Sequence, residues 1–162
     1  MAKANDIPGF DGRKSFRAIA REAVAVRSRE VFEHAAGVLD TDDIERVHDM
    51  RVATRRLRAV LEVFAPAFDA PEHKAALKDV KALADALGAR RDPDVQLAAL
   101  ATIAAALPGP DQPGIEAFAD RVRAEQQDGN RTLAAALKAV EDGDLQGRLE
   151  RLVAGSAPEA VA

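Results

Sequence analysis

The chain has 162 residues, a mass of 17.2 kDa and a formal net charge of −4, a size that fits one ordinary domain. Cysteine is absent, which excludes disulfides, thiolate nucleophiles and cysteine-based zinc sites. No run approaches 18 consecutive apolar residues and no apolar segment follows a basic start, so we expect no membrane span, no secretory leader and a cytoplasmic location. Of the 77 apolar residues, 36 are alanine, which leaves 41 larger side chains to build a core. With six Phe and no Trp or Tyr, that composition predicts packed helices rather than a sheet.

Residues 1–12 hold Pro8, Gly9 and Gly12 around Phe10 and read as a flexible arm. Residues 13–153 read as one all-α bundle of about five to six helices. The first helix spans about Arg13 to Leu39, with Phe16, Ile19, Ala23, Val26 and Val38 at helical spacing. Asp40 or Thr41 is a suitable cap for a second helix running to about Ala65, just before Pro66. Pro71 opens a third, expected to end at Gly88. Asp92-Pro93 then reads as a new start signal, for a helix that stops at Pro108-Gly109-Pro110. The next runs from about Gly114 to Val140, with Gly129-Asn130 as an expected kink or fray. A short last helix covers about Leu145 to Val153, and residues 154–162 read as a disordered tail.

Charge is unevenly placed. Residues 1–91 carry a net +2 and residues 92–162 a net −6. Four Arg against one Asp fall between His48 and Arg58. On a helix, Met50, Ala53, Leu57, Val60, Leu61 and Phe64 form the core stripe, while His48, Arg51, Arg55 and Arg58 lie within about 80° of one another beside it. Like charges one turn apart destabilise a helix by a few tenths of a kcal/mol, so helix stability alone does not favour the stripe, which opposite charges or a polyanionic ligand could neutralise. Arg56 sits on another face. The third helix repeats the pattern, with Leu77, Val80, Ala84 and Leu87 as core and Lys74, Lys78 and Lys81 beside it.

The run Val47-His48-Asp49-Met50-Arg51 followed by Arg55-Arg56-Leu57-Arg58 resembles the signature of CHAD domains, the conserved histidine α-helical domain family. Leu87-Gly88-Ala89-Arg90-Arg91-Asp92-Pro93-Asp94-Val95 is similar to a second element of that family, in the family's order. The resemblance implies a helical domain that binds inorganic polyphosphate in a basic groove, without catalysis of its own and without a cofactor. By position, His48, Arg51, Arg55, Arg56 and Arg58 match the first motif and Arg91 and Asp92 the second, while Lys78 and Lys81 lie in the family's basic third helix. Family members usually hold two related halves, and this chain shows one set of motifs. A homodimer that restores the pair is therefore expected, and a CYTH-type partner protein and a location at polyphosphate granules are further implications.

Such a ligand offers closely spaced charges and no base edges, so a row of Arg forks and Lys point charges suits it. Phosphate favours the charged form of His48, so binding is expected to improve modestly in mild acid. His34 with Arg27 and Glu30 is expected to form a buried polar network, and His73 to be exposed. Asp92 and Asp94 are expected to cap a helix or hold Arg91. Three scattered His and no H-E-x-x-H predict no metal site, and no P-loop, dinucleotide turn or nucleophile elbow is present. Two alternatives stand beside this reading: a histidine phosphotransfer module acting through His48, and a granule-coating helical scaffold. Nucleic acid is a weaker option, because without Trp or Tyr there are few stacking platforms.

Overall fold

The computed structural model describes residues 3–9 and 12–155. Among them are five α-helices and no strand: α1 (Phe16–Glu33), α2 (Ile44–Val63), α3 (Ala70–Ala106), α4 (Gln112–Asp142) and α5 (Leu145–Gly155). Ser15 caps α1 by accepting from the Ala18 amide at 3.3 Å. That helix stops at Glu33, earlier than its apolar spacing suggests, because His34 caps it and Gly37 turns the chain at φ +71°. Asp43 precedes α2, while Asp40 closes a local turn by accepting from the Asp42 amide.

The core takes the predicted stripe of α2 and part of that of α3, but in α1 it is built from Ala20, Val24 and Val31, while Phe16 of the expected stripe is 52% exposed and Val38 lies beyond the helix. Met50, Ala53, Leu57 and Leu61 of α2 meet Val80, Leu83 and Leu87 of α3, with Ala20, Val24 and Val31 of α1 and Leu145, Leu149 and Leu152 of α5. Each buried Leu or Val contributes about 1.5–3 kcal/mol. Polar groups inside the bundle close its corners. His73, expected at the surface, is buried: its ring lies parallel to Phe68, and its Nε2 donates to the Leu61 carbonyl at 2.7 Å. Leu61 lies in the last turn of α2, where a carbonyl lacks a helical partner, so the imidazole satisfies an orphan acceptor. Arg27 and Glu30 form the expected polar pair at 2.7 Å, but they hold the backbone of Asn5 rather than His34. Within residues 3–9, where sequence suggested a flexible arm, Asn5 is thus docked on α1. The expected tail is described only at Ala154 and Gly155, which close α5, and its remainder lies outside the described residues.

One departure matters most. The two helices expected on either side of Gly88–Asp92 are a single 37-residue helix with Pro93 inside it. A proline there removes the hydrogen bond to the carbonyl four residues back, Ala89, and normally breaks or kinks a helix. Here α4 packs along α3 and brings Gly129 onto that carbonyl: a Cβ on Gly129 would lie 2.7 Å from the Ala89 oxygen. Asn130, next in sequence, accepts from Arg90 Nε at 3.1 Å and donates to the Leu39 carbonyl at 3.0 Å. Gly129-Asn130 is therefore the seam between α3 and α4, and α4 runs through it unbroken. Gly129→Ala raises helix propensity by about 1 kcal/mol, yet it is expected to lower stability by about 1–3 kcal/mol because backbone must move. A lower urea midpoint for the variant is the expected result.

Candidate anion-binding face

Helix α2 lays its apolar stripe on α1 and α3, which turns the adjacent stripe outward along its junction with α3. His48 and Arg51 are half-buried there and Arg55 is exposed. None of the three has an ion-pair or hydrogen-bond partner among the described residues. Arg58, one turn on, donates from Nε to Glu62 Oε1 at 3.1 Å. The same oxygen lies 3.2 Å from Lys81 Nζ of α3. Glu62 thus ties the two basic stripes together, and the juxtaposition left open by the sequence is present at that end. Lys78 and Lys74 continue the α3 stripe, both without a partner among the described residues.

Glu62 itself was missed by sequence reasoning. The signal was its spacing, four residues after Arg58 and on the same helical stripe. Its hydrogen bonds from Arg58 first and Lys81 second hold the carboxyl below the usual carboxylate range, against a smaller desolvation effect. Such a group stays ionised across pH 5–8, and its contribution to stability is lost only in acid, as pH falls through the depressed value.

The remaining candidates lie elsewhere. Helical spacing puts Arg56 about 120° from the middle of the stripe, on a half-buried face of α2. Arg91 is only 17% exposed; its Nη1 reaches the Ile44 carbonyl at 3.5 Å and lies 3.9 Å from Asp94 Oδ2, so it ties α3 to the start of α2. Asp92 is exposed in mid-helix and caps nothing. Asp94 is buried and pairs with Arg90, which is wholly buried. Gln126 of α4 donates to Asp94 at 2.6 Å and Asn130 accepts from Arg90, so four side chains form one polar knot under the second motif. Arg90 Nη2 and Asp94 Oδ2 are buried in it without a hydrogen bond.

The two motifs are therefore placed differently: His48, Arg51 and Arg55 of the first have no partner among the described residues, whereas the second ties helices together. The profile of the CHAD domain family matches residues 19–162, nearly the whole chain. The chain belongs to the CHAD domain family. No curated protein and no solved structure matches it. The all-helical bundle of this CHAD domain agrees with the architecture expected from sequence. Among its described residues no helix is long and apolar enough to cross a membrane, and no group of three His, Asp or Glu is placed to hold a metal ion.

Proposed function

We propose that this CHAD domain binds inorganic polyphosphate, without catalysis, on the face formed by His48, Arg51, Arg55 and Arg58 of α2 and Lys74, Lys78 and Lys81 of α3. The observation that carries this reading is the run of His48, Arg51 and Arg55, which have no hydrogen-bond or ion-pair partner among the described residues, together with Lys74 and Lys78 on the neighbouring helix, which also have none there. A fold gains nothing from aligning unpaired cations, whereas a linear polyanion neutralises them together. The family is linked to polyphosphate binding, and the motif residues His48, Arg51 and Arg55 have no partner among the described residues. Binding of this kind would bring the protein to polyphosphate granules.

Arg58 and Lys81 are already engaged by Glu62, so the protein's own carboxylate competes with phosphate for them. Titration of the unmodified protein with long-chain polyphosphate tests the reading: affinity should fall steeply between about 50 and 200 mM salt, as counterion release requires. Glu62→Gln should bind about three- to tenfold more tightly at low salt, the effect of removing two exposed ion pairs. A folded protein that shows no binding at either salt concentration overturns the proposal.

A further inference from the structure

Helix α3 changes sign along one stripe. At about 100° per residue, Lys74, Lys78, Lys81, Asp85 and Asp92 fall within about 60° of one another, so two carboxylates continue the row that three lysines begin. Asp85 and Asp92 are exposed, and neither has a hydrogen-bond or ion-pair partner among the described residues. Lys81, one turn before Asp85, pairs instead with Glu62 across the junction.

Two contacts fix what these carboxylates stand beside. Glu62, in the last turn of α2, meets Lys81, and the Ile44 carbonyl, at the start of α2, accepts from Arg91 at 3.5 Å. The two helices are therefore antiparallel, with Asp85 abreast of Arg51 and Arg55 and Asp92 abreast of His48. Lys78 and Lys74 run on past the end of α2. The cations thus follow one another in a single row: His48, Arg51, Arg55 and Arg58 on α2, then Lys81, Lys78 and Lys74 on α3, about 30 Å in all by the rise of an α-helix. Beside the first half of that row, α3 offers Asp85 and Asp92 and no further cation on its stripe.

We infer that Asp85 and Asp92 are specificity-determining residues, which admit a polyanion with one row of charges to this face and reject duplex nucleic acid. The inference rests on the proposed function. A linear polyphosphate has a single row of charges and follows the cations alone. Axes of packed helices lie about 8–10 Å apart, so the carboxylates stand about one Debye length from that ligand and are largely screened. A duplex carries two phosphate rows, separated by grooves about 6 and 12 Å wide. When one row lies on Arg51 and Arg55, the other comes down on the neighbouring helix, at Asp85 and Asp92. Like charges brought into contact there supply the repulsion that separates the wrong partner from the right one.

The test compares the unmodified chain with Asp85→Asn/Asp92→Asn and with Glu116→Gln/Glu141→Gln. The second pair makes the same change of net charge at exposed positions of α4 that have no partner among the described residues. Each protein is titrated at one low salt concentration with labelled duplex DNA, single-stranded DNA of the same length and long-chain polyphosphate, after circular dichroism has shown equal helix content. The Asp85/Asp92 variant should gain about tenfold or more in duplex affinity. Its affinity for polyphosphate and for single-stranded DNA should rise no more than about threefold, and the α4 pair should move all three ligands no further than that. Equal gains for duplex and polyphosphate, a duplex affinity that does not rise, or the same duplex gain from the α4 pair would each overturn the inference. The duplex arm reads the flank even where polyphosphate fails to bind: a gain confined to the Asp85/Asp92 variant would then keep the barrier to a two-row polyanion while the proposed function falls.

Discussion

Replacing Arg90 by methionine is expected to lower the unfolding free energy by about 3–5 kcal/mol, because it leaves the buried Asp94 carboxylate with only the more distant Arg91, 3.9 Å away, as counter-charge. Arg90 has no solvent exposure, and Asp94, its ion-pair partner, is equally enclosed. Gln126 cannot replace the lost charge, since its amide gives Asp94 one neutral hydrogen bond. The loss is a large share of the stability of an ordinary domain. The double variant Arg90→Met/Asp94→Leu should recover much of it, because exchanging a whole buried ion pair for apolar side chains is often neutral. Urea unfolding of the three proteins checks both statements. Full stability in Arg90→Met alone would show that the knot does not hold α3 to α4.

The same knot explains what could and could not be read from the sequence. The core stripe of α2 and the basic stripe beside it were legible, because both are single-helix properties fixed by 3.6-residue periodicity. His48, Arg51, Arg55 and Arg58 needed no neighbour to be placed. The fusion of two expected helices into α3 was not legible, because Gly88 and Pro93 are local breakers and what overrides them is tertiary. Gly129, 36 residues beyond Pro93, presses its backbone on the Ala89 carbonyl that the proline leaves unpaired. The weak-looking Gly129-Asn130 pair and the helix-breaking Pro93 are two halves of one contact, and neither residue announces the other.

His73 was hidden for a related reason. Its spacing near a helix start suggests the surface, but its partner is a carbonyl at the end of the preceding helix. Arg90 was hidden behind Arg91, its neighbour in the motif. A sequence shows two adjacent guanidiniums, while packing buries one completely and leaves the other to tie α3 to Ile44. Glu62 was the opposite case: its place on the stripe was readable from its spacing, but its role required knowing that Lys81 arrives from α3.

The second large effect concerns the cationic face. Arg51 and Arg55 have no partner among the described residues, so removing them breaks no described ion pair and should leave the melting curve nearly unchanged. Removing two phosphate contacts should weaken long-chain polyphosphate about 30- to 100-fold at low salt and reduce the slope of log affinity against log salt by about two. A variant that loses equal charge elsewhere separates site from net charge. Arg131 and Lys138 of α4 suit this, since each is paired on its own helix with Asp128 or Asp142.

The most direct measurement is therefore a titration of long-chain polyphosphate into three proteins at two salt concentrations, with duplex DNA as competitor. The proteins are the unmodified chain, Arg51→Ala/Arg55→Ala, and Arg131→Ala/Lys138→Ala. Tight, salt-sensitive binding is expected, which the first pair of substitutions weakens severely, the second leaves nearly intact and DNA competes for poorly. Equal weakening by both pairs, or binding unaffected by the loss of Arg51 and Arg55, would contradict it.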